Sequence, residues 1–263
     1  MAVLTLSACS HGTEAARNPT STAPPKLLPA PAATVEETVP NVVGMNYQEA
    51  QIDLATTGSL GLRVDFQLVH DSTIASGSVV TETPAAGTQL SDSMVVTLAV
   101  SIGPAAAAGA SSCQAADLHV RLGPPVSEAT GQHTVDVAFT NTTQSTCVVD
   151  GYPTVSLVDA TGKRLGFTYS RSGDQMTTAA TPGPVYLLPG SDAWVRVNKY
   201  RCDIASPDAS STMFLSPPGV VGTLSVPALF GYCDQMASLI VTISPFEPIE
   251  LLLSHSGPEV TGG

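Results

Sequence analysis

Basic side chains are scarce in this chain: 10 Lys and Arg stand against 22 Asp and Glu, a formal charge of −12 at pH 7. That balance argues against a nucleic-acid partner, because phosphate backbones are held by clustered cations. No stretch past the amino terminus reaches the roughly 18 apolar residues that a membrane-spanning helix needs. Local catalytic signatures are missing as well. There is no G-x-S-x-G elbow, no S-x-x-K with S-D-N and K-T-G, no H-E-x-x-H and no P-loop. The expectation is a non-enzyme with no catalytic residues, although a spatial constellation is invisible to a linear reading. The five histidines, His11, His70, His119, His133 and His255, are dispersed, and His133, with Asp136 nearby, reads as structural or solvated. No cysteine pair has C-x-x-C spacing, and no histidine lies at finger-like distance from two cysteines, so neither a metal nor a cofactor is expected.

What is present begins with cysteine. Cys9 stands alone near the start, whereas Cys113, Cys147, Cys202 and Cys233 all fall in the second half. An odd total resolves into one special residue and an even set, and two disulfides suit an exported protein in an oxidising compartment. Sequence order favours Cys113 with Cys147 and Cys202 with Cys233, one of three possible connectivities. Loops of a little over 30 residues stabilise by roughly 3 to 4 kcal/mol each in the loop-closure model.

Cys9 closes the run Leu6, Ser7, Ala8, Cys9, which resembles the lipobox of bacterial lipoproteins. The resemblance implies cleavage before Cys9, acylation of its sulfur with a chain such as palmitate, and a membrane anchor through that lipid. Only six residues precede Ser7, fewer than the usual apolar region of a signal peptide, so residues 1–9 read as a shortened signal. Residues 10–38 are rich in Pro, Ala, Thr and Ser, which cannot bury enough apolar surface to offset ordering entropy. They read as a disordered stalk; at about 3.1 Å per residue its reach is up to about 90 Å.

Residues 39–104 can be read locally. Asn46 suits a helix N-cap, with Glu49 three residues on to complete a capping box. Tyr47, Ala50 and Leu54 form one apolar stripe, and Gly58 or Gly61 suits the helix end. Leu62, Val64, Phe66 and Leu68 then alternate as a strand; Val79 and Val80 mark a second, and Val96, Leu98 and Val100 a third. Val39-Pro40, Val43-Gly44-Met45, Glu49-Ala50, Gly61-Leu62, Pro84-Ala85-Ala86-Gly87-Thr88 and Gly103-Pro104 recur in the order of a PASTA domain, which this segment closely resembles. The connection from Leu54 to Gly61 is about three residues longer than that family's usual one. The resemblance implies a helix with a three-stranded sheet, outside the cell, associated with peptidoglycan or muropeptide fragments. Six acids against the single base Arg63 give this segment a net charge of −5, which disfavours tight ionic capture of anionic wall polymer. Arg63 and Glu82 are the candidate ligand contacts, set against their ordinary reading as solvated strand residues.

Residues 105–112 read as a second linker, and 113–254 as an all-β sandwich ahead of a disordered tail at 255–263. Val135, Val137 and Phe139 alternate in one strand, Ala193, Val195 and Val197 in another, with Gly, Pro and Asp turns between. Seven to nine strands are expected, immunoglobulin-like by analogy. The Cys147-x-x-x-Gly151-Tyr152-Pro153 core, the Leu187-x-Pro189-Gly190 turn and the late cysteine pair resemble an uncharacterised secreted domain of actinobacteria over 113–243. That resemblance implies architecture, disulfides and an extracytoplasmic setting, without an activity. Trp194, the sole tryptophan, is either core or a binding aromatic, with core favoured. Arg196, Lys199 and Arg201, and Lys163 with Arg164, form the only basic clusters, set to pair with surrounding acids or to meet an anionic partner.

The expected protein is therefore multidomain, a small α+β PASTA module followed by an all-β sandwich, lipid-anchored on the outer face of the cell membrane and within the wall. Its expected role is contact with peptidoglycan or positioning at it. The rivals are a scaffold whose sandwich recognises an envelope protein, with the PASTA unit a spacer, and a cryptic wall hydrolase.

Overall fold

Asn46 opens the only α-helix among the described residues, α1 (Tyr47–Thr56). The computed structural model describes residues 37–57, 62–91, 93–127, 129, 131–202, 208–232 and 239–253. The lipobox with Cys9, the stalk up to residue 36, Gly58, Gly61, Cys233 and the tail lie outside them. Glu37 and Thr38, read as the end of the stalk, are instead paired into the fold, the Glu37 carbonyl accepting from the Leu90 N–H at 2.9 Å and Thr38 bridging to Gln89. Asn46 has extended backbone, and its Oδ1 accepts from the Gln48 N–H at 2.9 Å, one residue earlier than the capping box with Glu49 requires. Tyr47, Ala50 and Leu54 are the buried stripe. The helix ends not on a glycine but on Thr57, extended, whose N–H reaches the Leu54 carbonyl at 3.3 Å.

Three strands follow, β1 (Arg63–Val69), β2 (Val79–Thr83) and β3 (Val95–Ser101), in the order β1-β3-β2. β1 runs parallel to β3 and β2 antiparallel to it. Leu68, Val96, Leu98 and Val100 point at α1 and, with Val39 and Val42, make a small core. One further member, Ile249, comes from the far end of the chain and is 1% exposed.

The remaining chain is almost wholly β. The strands are β4 (Ser111–Ser112), β5 (Leu118–Leu122), β6 (Gln132–Asn141), β7 (Cys147–Asp150), β8 (Thr154–Val158), β9 (Thr168–Ser170) and β10 (Pro184–Leu187). After them come β11 (Asp192–Tyr200), β12 (Asp208–Ala209), β13 (Thr212–Ser216), β14 (Leu224–Pro227), β15 (Gly231–Tyr232) and β16 (Ile240–Ile243). Among the described residues of 113–254, twelve strands, β5 to β16, replace the seven to nine expected, because the two-residue pairings β12 and β15 and the three-residue β9 are too short for alternation to reveal. The main sheet has the order β5-β6-β11-β16-β9; three-stranded sheets β10-β7-β4 and β14-β13-β8 contribute to the same core. Val137 and Phe139 of β6 and Ala193, Val195 and Val197 of β11 fill that core from the main sheet. β4, at the end of the segment read as a linker, pairs in parallel with β7.

A disulfide joins Cys113 to Cys147 across 34 positions, with both residues buried. Cys202 is also disulfide-bonded, while Cys233, its expected partner, lies outside the described residues. Replacing Cys113 and Cys147 together by serine is expected to cost about 4 kcal/mol by loop-closure entropy. Urea unfolding of the oxidised wild type beside the double variant measures the difference, and a cost below about 1 kcal/mol would contradict it.

Candidate functional site

Arg63 and Glu82 do not converge. β3 lies between their strands, with Arg63 opposite Val95 and Glu82 opposite Leu98. Arg63 is paired with Asp65 at 3.0 Å on the open surface. Glu82 is a local clamp: one carboxylate oxygen accepts from the Val42 N–H and the other from the Ala86 N–H, each at 3.1 Å. These bonds fix the chain entering α1 and the turn after β2.

The richest polar arrangement lies on the outer face of the main sheet. Alternation along β6 and β11 sends Gln132, Thr134, Asp136, Arg196 and Asn198 away from the apolar core, yet all five are buried. The covering layers are the segment before β10 and the chain after β16. Arg196 grips Asp136 with two bonds, Nε to Oδ1 at 2.7 Å and Nη2 to Oδ2 at 2.8 Å, and its Nη1 donates to the Met176 carbonyl at 3.1 Å. Asn198 Nδ2 donates to Gln132 and Asp174, both at 2.8 Å, and Asn198 Oδ1 accepts from Thr134 at 2.6 Å. Burial by itself would raise the Asp174 carboxyl, but donors from Asn198, the Met176 N–H and Thr242 together hold it below its usual range.

The chain after β16 carries this layer to the PASTA core. Trp194 and Glu247 exchange backbone hydrogen bonds at 2.8 and 2.9 Å. Ile249 enters the PASTA core, and Glu250 Oε2 accepts from Gln48 Nε2 of α1 at 2.8 Å. Burial pushes the Glu247 carboxyl up to about 7. Glu250 is also pushed up to about 7, first by burial and then by the neighbouring Asp136 carboxyl, with Gln48 and Arg196 pulling the other way. Tyr47 is raised well above its ordinary value, chiefly by burial and then by Glu250. A second seam lies at Gly103, with φ +77°, where a Cβ would come within 3.1 Å of the Tyr186 carbonyl of β10; beside it Ser76 donates to the Asp192 carbonyl at 3.1 Å.

The expected basic cluster is divided by the strand period, because Arg196 and Lys199 are three residues apart and so face opposite sides of β11. Lys199 is 2% exposed; its Nζ donates to the Tyr200 carbonyl at 2.6 Å, and burial pulls its ammonium down to about 8. With His133, Arg201, Cys202 and Leu229 it lines a cavity of about 240 Å³. His133 packs edge-on against Phe230 at 4.9 Å, on the face of β6 opposite Asp136. Lys163 and Arg164 sit on an exposed turn in which Asp159 accepts the Lys163 N–H at 2.9 Å. Trp194 is half-buried on the outer face, stacked under Arg121, which also pairs with Asp192. Gly123 leaves room for it, since a Cβ there would meet the indole at 2.9 Å. Among the described residues no group of three or more His, Cys, Asp or Glu comes together as a metal site requires.

Sequence comparison places two families on this geometry. Residues 37–102 match the PASTA domain, and residues 113–246 match a domain of unknown function, DUF4232. No curated protein matches the chain. Among solved structures it is similar to the entire extracellular region of the Ser/Thr kinase PrkC from Staphylococcus aureus, with 14% identity and a TM-score of 0.23. That match covers 72% of this chain and 50% of the other, so the chain spans half the length of that structure. The PASTA domain and the disulfide point to an extracytoplasmic setting. No helix among the described residues is long and apolar enough to cross a membrane. The DUF4232 match takes in just over half of the 263 residues, and the chain belongs to that family, carrying a PASTA domain ahead of it.

Proposed function

We propose that this is a non-enzymatic envelope protein, acylated on Cys9, in which the PASTA domain stands at peptidoglycan and the DUF4232 domain is presented there with it. The observation that carries the reading is the PASTA match over residues 37–102, since PASTA domains are associated with peptidoglycan and muropeptides. Ile249 in the PASTA core supports joint presentation over a freely swinging spacer. Contact with the wall is weak in this reading, because six acids surround one base and Glu82 spends both oxygens on its own backbone. An immunoglobulin-like closure of the DUF4232 sheets belongs to the same proposal, supported by the single core they share.

Pelleting with insoluble cell wall tests the contact. The full chain is expected to pellet several-fold more than a chain whose residues 39–104 are replaced by a Gly/Ser linker, with a wall-free control for aggregation. Equal pelleting of the two would remove peptidoglycan from the proposal. Mass spectrometry of the native protein is expected to find a mature chain beginning at an acylated Cys9, and a free Cys9 thiol would remove the anchor.

A second reading has the DUF4232 domain recognise another envelope protein. It draws on the cationic cavity and on Leu229 at its rim, 70% exposed. Loss of a crosslinked partner in a Leu229→Asp chain, with wall pelleting intact, would favour it.

A further inference from the structure

Three things meet where the chain after β16 crosses from one domain to the other. Glu247 fastens its backbone to Trp194, Ile249 fills the PASTA core, and Glu250 lies between α1 and β6. Both oxygens of Asp136 are already engaged by Arg196, within a pair whose side chains are 0% and 8% exposed. One guanidinium thus faces two carboxyls, Asp136 and Glu250. If both were ionised, the cluster would hold an uncompensated negative charge out of water, which is costly. A proton on Glu250 removes that charge and gives its hydroxyl a hydrogen bond to donate to Asp136, while its other oxygen accepts from Gln48.

We propose that the Glu250–Asp136–Arg196 cluster is a proton-operated clasp: protonated Glu250 holds the C-terminal segment, and through Ile249 the PASTA domain, against the DUF4232 sheet, and ionised Glu250 releases it. The charged and titratable groups facing Glu250 are Tyr47 of α1, Asp136 of β6 and Arg196 of β11; its own segment carries Glu247 three residues earlier, fastened by its backbone to Trp194, and the segment covering the sheet adds the Met176 carbonyl on Arg196 and, further along, Asp174.

The direction with pH follows from linkage. In a released segment Glu250 ionises near its ordinary 4.5, whereas docked it holds its proton up to about 7. Docking is therefore fully favoured below about 4.5. It weakens as pH rises from there to about 7, because release sheds a proton, and it levels off above. The docking equilibrium falls by up to about tenfold per pH unit for each carboxyl that behaves this way. Glu247, raised by burial, adds the same sign.

Trp194 is the only tryptophan and its backbone is paired with Glu247, so acrylamide quenching of its emission reports the segment lifting. In the full chain, quenching is expected to rise between pH 4.5 and 8.5, with most of the change near pH 7. Gln at 250 mimics the protonated acid, accepting from Gln48 and donating to Asp136, so an E250Q chain is expected to stay more protected across the range, with only the shallow rise that Glu247 supplies. An E247Q chain is expected to keep the transition with a shallower slope. A flat wild type, a wild-type transition in E250Q, or loss of the transition in E247Q alone would overturn the proposal.

Discussion

An Ile249→Ala chain is expected to lose about 2–5 kcal/mol of PASTA stability, the usual cost of stripping a fully buried isoleucine to alanine. The size matters because a module as short as residues 37–102 holds a net stability of only roughly 3–10 kcal/mol. Its core rests on few large side chains, and Ile249, at 1% exposure, is one of them although it belongs to the far end of the chain. The measurement is amide exchange across α1. Protection there is expected to fall at least about 30-fold, the equivalent of 2 kcal/mol, while β6 and β11 keep theirs. A chain ending at residue 246 is expected to behave the same way, since it also lacks Ile249. If the alanine costs less than about 1 kcal/mol and α1 keeps its protection, Ile249 only lies against a finished PASTA core, and the two domains are energetically separate.

Local periodicity made much of the fold legible. The Tyr47, Ala50 and Leu54 stripe, the Asn46 cap and the alternation in β1, β3, β6 and β11 are signals within a few residues of one another, and they are where sequence reading and structure coincide. The division of Arg196 from Lys199 was also available, because a strand sends residues three apart to opposite faces. Other features depend on distant chain. Nothing in the run from Ser244 to Leu253 announces that Ile249 serves a core assembled from residues 39–102, since the contact has no local period. Asp136 and Arg196 occupy the polar positions of alternating strands, a pattern that ordinarily means solvent. They are buried because the segment before β10 and the chain after β16 cover that face, and no strand pattern encodes its own cover. Glu82 looks like a surface carboxylate in sequence and proves a backbone acceptor for the same reason.

An Arg196→Ala chain is expected to be about 3–5 kcal/mol less stable than the wild type, because it strands the Asp136 carboxylate at 0% exposure without its partner. The Met176 carbonyl loses its donor as well. An Arg196→Met, Asp136→Leu chain makes the opposite case. Removing both charges also removes both desolvation penalties, so thermal and urea unfolding are expected to place it within about 1 kcal/mol of the wild type, or above it. What the double variant is expected to change is the pH response of Trp194 quenching, which becomes shallower, since the Asp136 contribution to Glu250 is gone while burial, its largest cause, and the burial of Glu247 remain. Stability with a shallower pH response would mean that the buried pair tunes how the domains separate rather than how firmly they fold. A double variant as unstable as Arg196→Ala would instead make the pair a structural element of the main sheet, with its charge incidental to the docking.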